Sequence, residues 1–118
     1  MHNLKELYVW NKAMILTIEV YEAVANFPID ERFGLTSQIK RSAVSIPSNI
    51  AEGAGRNNVK EFIHFLGISN GSSFELQTQI ILANKLNLIS KEISNSILNK
   101  IDEIQKMTYG LIKKLRNN

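Results

Sequence analysis

At 118 residues, with 44% hydrophobic and 21% charged side chains, the chain has the make-up of one globular domain, residues 1–118, and not of a disordered segment. It contains no cysteine, which excludes disulfides, thiolate metal sites and a cysteine nucleophile. The formal net charge of +3 is mild, and residues 58–118 supply all of it, with eight basic and five acidic side chains.

The start, Met1-His2-Asn3-Leu4-Lys5-Glu6, lacks the basic-then-apolar layout of a signal peptide. No apolar run approaches the ~18 residues of a membrane span. The expectation is a cytoplasmic protein with no membrane partner.

Between two prolines and a few Gly/Asn clusters, the spacing of apolar residues is helical throughout, and no segment alternates with the period of a strand. The first predicted helix runs from about Lys5 to Asn26. Leu7, Trp10, Met14, Thr17, Tyr21 and Val24 form its expected core stripe, with Ala13, Val20 and Phe27 beside them, and Phe27-Pro28 ends it, since a residue before proline is pushed out of the α region. The second runs from about Gly34 to Ala54 on Leu35, Ile39, Ala43, Ile46, Ile50 and Gly53. Pro47 falls inside it, removing an amide and crowding the carbonyl of Ala43. The period stays in phase across the proline, which predicts one kinked helix and not two.

The third helix steps by three and four through Val59, Phe62, Leu66, Ser69, Ser73, Leu76, Ile80 and Ala83, with Asn58 and Glu61 as a capping pair. The fourth runs from about Lys91 to Leu115 behind Ser90 as N-cap, on Ile93, Ile97, Ile101, Ile104, Thr108, Leu111 and Leu115. Short links near 27–34, 55–58 and 87–90 favour antiparallel neighbours. The predicted fold is therefore an all-α, up-down four-helix bundle.

Two faces exceed what one core requires. The third helix carries Ile63, Phe74 and Ile81 on one flank beside Gly67 and Gly71, and Phe65 and Ile68 on the other. This arc suits either a wide core face or an interface between subunits. On the second helix, Gln38, Arg41, Ser45, Asn49, Glu52 and Arg56 form a polar arc opposite the apolar stripe. It reads as a solvated face or as a hydrogen-bonded surface meeting another helix or subunit, Glu75 joining it as a further contact, with a ligand or catalytic groove as the minor alternative.

Chemistry finds little footing. Glu61-x-x-His64 has the spacing of a di-iron ligand pair, but such a site needs a second copy and two more inward glutamates. His2 and His64 are the only histidines, and His64 points away from the Phe62/Leu66 stripe. No context supports Ser-His-Asp catalysis, no Gly-x-Ser-x-Gly elbow occurs, and Gly53 and Gly55 lack the Gly-Lys-Ser/Thr ending of a phosphate loop. Glu52 and Glu75 read as structural ion-pair partners for Arg41 and Arg56. The reading is a non-enzyme with no cofactor and no metal.

The run from Leu35 to Gly53, and above all Ser45-Ile46-Pro47-Ser48-Asn49-Ile50-Ala51-Glu52-Gly53, resembles the four-helix-bundle family whose genes occur in intervening sequences of 23S ribosomal RNA, the S23-like proteins. Val9-Trp10-Asn11-Lys12-Ala13, Glu31-Arg32-Phe33-Gly34 and Gly71-Ser72-Ser73-Phe74-Glu75-Leu76 extend the likeness over most of residues 7–83. The resemblance implies a ring-shaped homopentamer. It also implies kinship with the accessory variability determinant of diversity-generating retroelements, a basic barrel that binds nucleic acid and a reverse transcriptase. At +3 per chain the present ring would be only modestly basic.

The expected function is thus a non-catalytic oligomer that binds structured RNA, such as rRNA, or an RNA-handling protein. Phosphate contacts would come from Lys40, Arg41, Arg56, Lys113, Lys114 and Arg116, and weaken with salt as counterions are released. The alternative is a protein-interaction adaptor that uses the Gln38-to-Arg56 face and has no direct role with nucleic acid.

Overall fold

A computed structural model describes residues 2–117. A 3-10 turn, Leu4–Glu6, leads into helix α1 (Tyr8–Val24), and a second 3-10 turn, Ile29–Glu31, leads into α2 (Leu35–Ala54). Helices α3 (Val59–Lys85) and α4 (Lys91–Arg116) follow. No strand occurs among the described residues. Each helix packs on two neighbours, in the cyclic order α1, α2, α3, α4, and the α2–α3 contact is the largest.

The neighbours run antiparallel, as cross-links at several levels show. Ser45 on α2 meets Ser72 on α3, while Gly53 meets Phe62. Lys12 on α1 pairs with Glu103 on α4, while Glu19 meets Lys100. The result is a rod of 46 × 23 × 20 Å.

The core is one continuous cluster running through all four helices, and it includes Leu16, Ile39, Ile46, Phe62, Ile80 and Ile104. For α2 the predicted stripe is the buried one, with Leu35 only half-buried. The α3 stripe is buried from Phe62 to Ala83, and only Val59 is exposed. Three serines lie buried on α3, Ser69, Ser72 and Ser73. Small side chains bring the α2 backbone close enough for the Ser69 hydroxyl to donate to the Ile46 carbonyl at 2.9 Å.

Helix α1 departs from the expected stripe. Met14 and Tyr21 are 40% and 41% exposed; the expected Ala13, Val20, Val24 and Phe27 are buried, and Val9 and Leu16 join them in the core. The helix is apolar on nearly every side, with Ile15 and Ile18 also exposed, so two stripes fit the helical period equally well and tertiary packing chooses between them. The helix also begins later than Lys5, because Leu7 is extended and separates it from the first 3-10 turn. In α4, Ser94 is buried in place of the expected Ile93.

Helix α2 runs through Pro47 as one helix. Proline has no N–H, so the carbonyl of Ala43, four residues earlier, loses its helical donor. The Thr17 hydroxyl on α1 supplies a replacement, lying 3.2 Å from Ala43 O and 2.7 Å from its own Ala13 O. One proton is thus shared between two carbonyls, and the break in the α2 ladder becomes a tie between helices.

The turn from α3 to α4 has a Schellman geometry. The Leu88 N–H reaches Ala83 O at 2.9 Å, the Asn87 N–H reaches Asn84 O at 3.0 Å, and Asn87 sits in the left-handed region at φ 60°. Ser90 then caps α4 by accepting from the Ile93 N–H. Asn58 caps α3 in the same way through Glu61.

Candidate nucleic-acid and subunit interfaces

The polar arc of α2 divides in two. Its C-terminal part is bound to α3 of the same chain. The Asn49 amide donates to Ser45 O and Oγ at 2.8 and 2.9 Å, and Ser45 Oγ lies 2.8 Å from Ser72 Oγ. Arg56 pairs with Glu52 at 3.3 Å and with Glu61 at 3.7 Å. Its guanidinium lies 4.9 Å from the centre of the Phe65 ring. The N-terminal part, Gln38 and Arg41, stays exposed. Of the α3 residues expected at an interface, Ile68, Gly71 and Glu75 are exposed and Phe65 is half-buried under Arg56.

The six predicted cations do not form one patch. Lys40 lies over the Tyr21 ring of α1, 5.1 Å from its centre, and Arg41 follows it on the exposed side of α2. At 1.5 Å per residue they sit roughly 20 Å along the rod from the end of α2. Lys113, Lys114 and Arg116 occupy the last turn of α4, where cations complement the helix dipole. That end of the rod also holds Arg56, just past the end of α2.

Grouping by end reveals an asymmetry that the linear sequence hides. The end built from residues 2–8, 52–61 and 111–117 has six basic side chains, including Lys5 and Lys60, against three acidic ones. The opposite end, residues 22–35 and 82–95, has three basic and four acidic. Sequence reasoning misses Lys5 and Lys60 because they are isolated along the chain. Only the antiparallel topology carries them to the α4 tail.

Two surface cavities lie along the seams between helices. One, of about 340 Å³ between α1 and α4, is lined by Glu19, Glu22, Asn26, Glu92 and Ser96. Glu19 Oε1 accepts from Ser96 at 2.9 Å and from Lys100 at 3.2 Å, while its Oε2 is buried without a partner. Among the described residues no three His, Asp or Glu side chains are placed to hold a metal ion. His64 is exposed, edge-on to Phe65 at 5.4 Å. The other cavity, about 330 Å³, is a groove along the outside of α1 and α2 between Leu4, Trp10, Met14, Val44, Pro47 and Ala51. No charged side chain lines it. Residue spacing alone assigns Trp10 and Met14 to the core.

These features define an up-and-down helical bundle whose notable chemistry lies on its outer surfaces. No described helix is long and apolar enough to cross a membrane. The chain belongs to the 23S rRNA-intervening sequence protein family, whose model matches residues 5–110. Among solved structures it is similar to a protein of unknown function from the S23 ribosomal protein family of Bacteroides thetaiotaomicron. The two share 28% identity over 89% of this chain and 98% of that one, with a TM-score of 0.80. No curated protein matches the chain.

Proposed function

We propose that this protein is a non-catalytic, cytoplasmic bundle that assembles with copies of itself, as a homopentamer, and holds structured RNA by its phosphates. The observation that carries the RNA reading is the collection of six basic side chains at one end of the rod. Lys113, Lys114 and Arg116 have no ion-pair partner among the described residues. In a ring of parallel rods each basic end faces the same way, so the copies add to a single rim. Binding of this kind is electrostatic and tolerant of sequence, and it declines as salt competes for the phosphates.

The test is fluorescence anisotropy with a labelled rRNA stem-loop at ~50 and ~200 mM salt. Binding at the lower concentration should weaken at the higher. Reversing Lys113, Lys114 and Arg116 to Glu should lower the salt slope by about one for each phosphate that is no longer neutralised. No binding at the lower concentration would end this reading.

A second reading, as a protein-interaction adaptor, has its own support. The α1–α2 link exposes Ile29 at 83% and Phe33 at 90%, with Arg32 stacked 6.0 Å from the centre of the Phe33 ring. This link lies at the end without excess positive charge. Capture of partners from lysate before and after nuclease separates the two readings. Partners that persist after nuclease and disappear with Phe33→Ser favour the adaptor.

A further inference from the structure

The outward face of α3 is unusual for a helix in water. Between Glu61 and Lys85 its only formally charged side chain is Glu75. Gly67 and Gly71 are exposed there, and a Cβ built on either meets nothing within 4 Å. Phe74 beside them is 52% exposed. A face this poor in charge, with Ile68, Phe74 and Ile81 exposed on it, suits cover by another surface. Two glycines four apart leave a flat strip where another surface can approach the backbone.

The uncharged groove on α1 and α2 lies on a different face of the same molecule. Beyond one end of it, Lys40 continues the line of Val44, Pro47 and Ala51 along α2, with Arg41 next to it.

Levels along the rod connect these two surfaces. Ser45 meets Ser72, and Ile46 meets Ser69. Counting along antiparallel helices at equal rise, Gly67 and Gly71 therefore lie level with the stretch Val44–Ala51, and Glu75 lies level with Lys40 and Arg41. Rotation about an axis parallel to the rods preserves these levels. When one copy sets its α3 against the groove of the next, glycines face groove and Glu75 faces Lys40 and Arg41. None of these three charged groups has an ion-pair partner among the described residues of its own chain.

We infer that the α3 face of one copy docks into the α1–α2 groove of a second copy, in parallel orientation, with Glu75 of one against Lys40 and Arg41 of the other. This rests on the self-association part of the function proposed above, and it specifies a heterologous contact in which each copy contributes a different surface on each side.

Mixing two blocked variants tests it. Gly71→Arg obstructs only the α3 face, and Ser48→Arg, on an exposed groove position, obstructs only the groove. Each variant alone, checked for unchanged helicity by circular dichroism, should lose assembly and run at the single-chain mass of 13.4 kDa in light scattering. Mixed in equal amounts, they should form a pair and no larger species, because one intact groove and one intact α3 face remain. If either variant keeps the wild-type mass, or the mixture stays monomeric, the inference is overturned while self-association stands. If the wild-type chain itself is monomeric at micromolar concentration, self-association falls and the inference with it.

Discussion

The hydroxyl of Thr17 shows how a single side chain can answer a backbone defect on another helix. Pro47 strips a donor from Ala43 O, and an unpaired buried carbonyl costs on the order of 1–3 kcal/mol. Thr17→Val should therefore destabilise the bundle by about 1–2 kcal/mol. In a Pro47→Ala background, which restores the missing N–H, the same change should cost much less. A double-mutant cycle by urea denaturation measures this coupling, and equal costs in the two backgrounds would show that Thr17 acts through packing alone. Gly53 poses the opposite problem. A Cβ there would lie 2.9 Å from both Phe62 Cδ1 and Phe65 Cβ, and 3.2 Å from Phe62 O. Gly53→Ala should lower stability by about 1–3 kcal/mol, although alanine is the better helix former. Thermal melts of the two proteins decide it.

Elements are joined by small residues and by caps as much as by apolar area. Helices α2 and α3 approach closely because serine and glycine occupy their contact line, at Ser45, Gly53, Ser69 and Ser72. The α3–α4 turn depends on Asn87, whose left-handed backbone costs an ordinary L-residue roughly 1–2 kcal/mol. Asn87→Ala should therefore destabilise by about 1 kcal/mol and Asn87→Gly should not, as chemical denaturation would show. Gly110, on the exposed side of α4, is a contrasting glycine. A Cβ there touches nothing, so Gly110→Ala should stabilise the helix by about 0.8 kcal/mol. A loss of stability instead would mean that this face is covered.

At the scale of the whole molecule, charge is sorted along the rod while apolar surface is sorted around it. Under the proposed function the two gradients would serve different interactions. In the assembly proposed above, lateral apolar contact between copies would leave the ends free and the basic ends available to phosphate. Raising salt should therefore weaken RNA binding well before it disperses the assembly, since burial of apolar surface is not screened. Light scattering and anisotropy across one salt series would check this, and simultaneous loss of both would contradict the separation.

Four helices, their approximate ends and most of their buried faces can be read directly from residue spacing, because a helix that borders one core repeats its apolar residues every three to four positions. That reading succeeds for α2, α3 and most of α4, where a single stripe dominates. For α1 it places Ala13, Val20 and Val24 correctly but misplaces Met14 and Tyr21, because apolar residues encircle the helix and leave the choice of face to its neighbours. Pro47 announces a lost hydrogen bond in the sequence, but only the approach of α1 reveals that Thr17 replaces it. Lys5, Lys60 and the α4 tail are far apart in the chain and share one end of the rod solely because successive helices reverse direction. Spacing along a chain encodes which side of a helix is apolar. Proximity between helices is a property of their packing, and tertiary structure alone decides it.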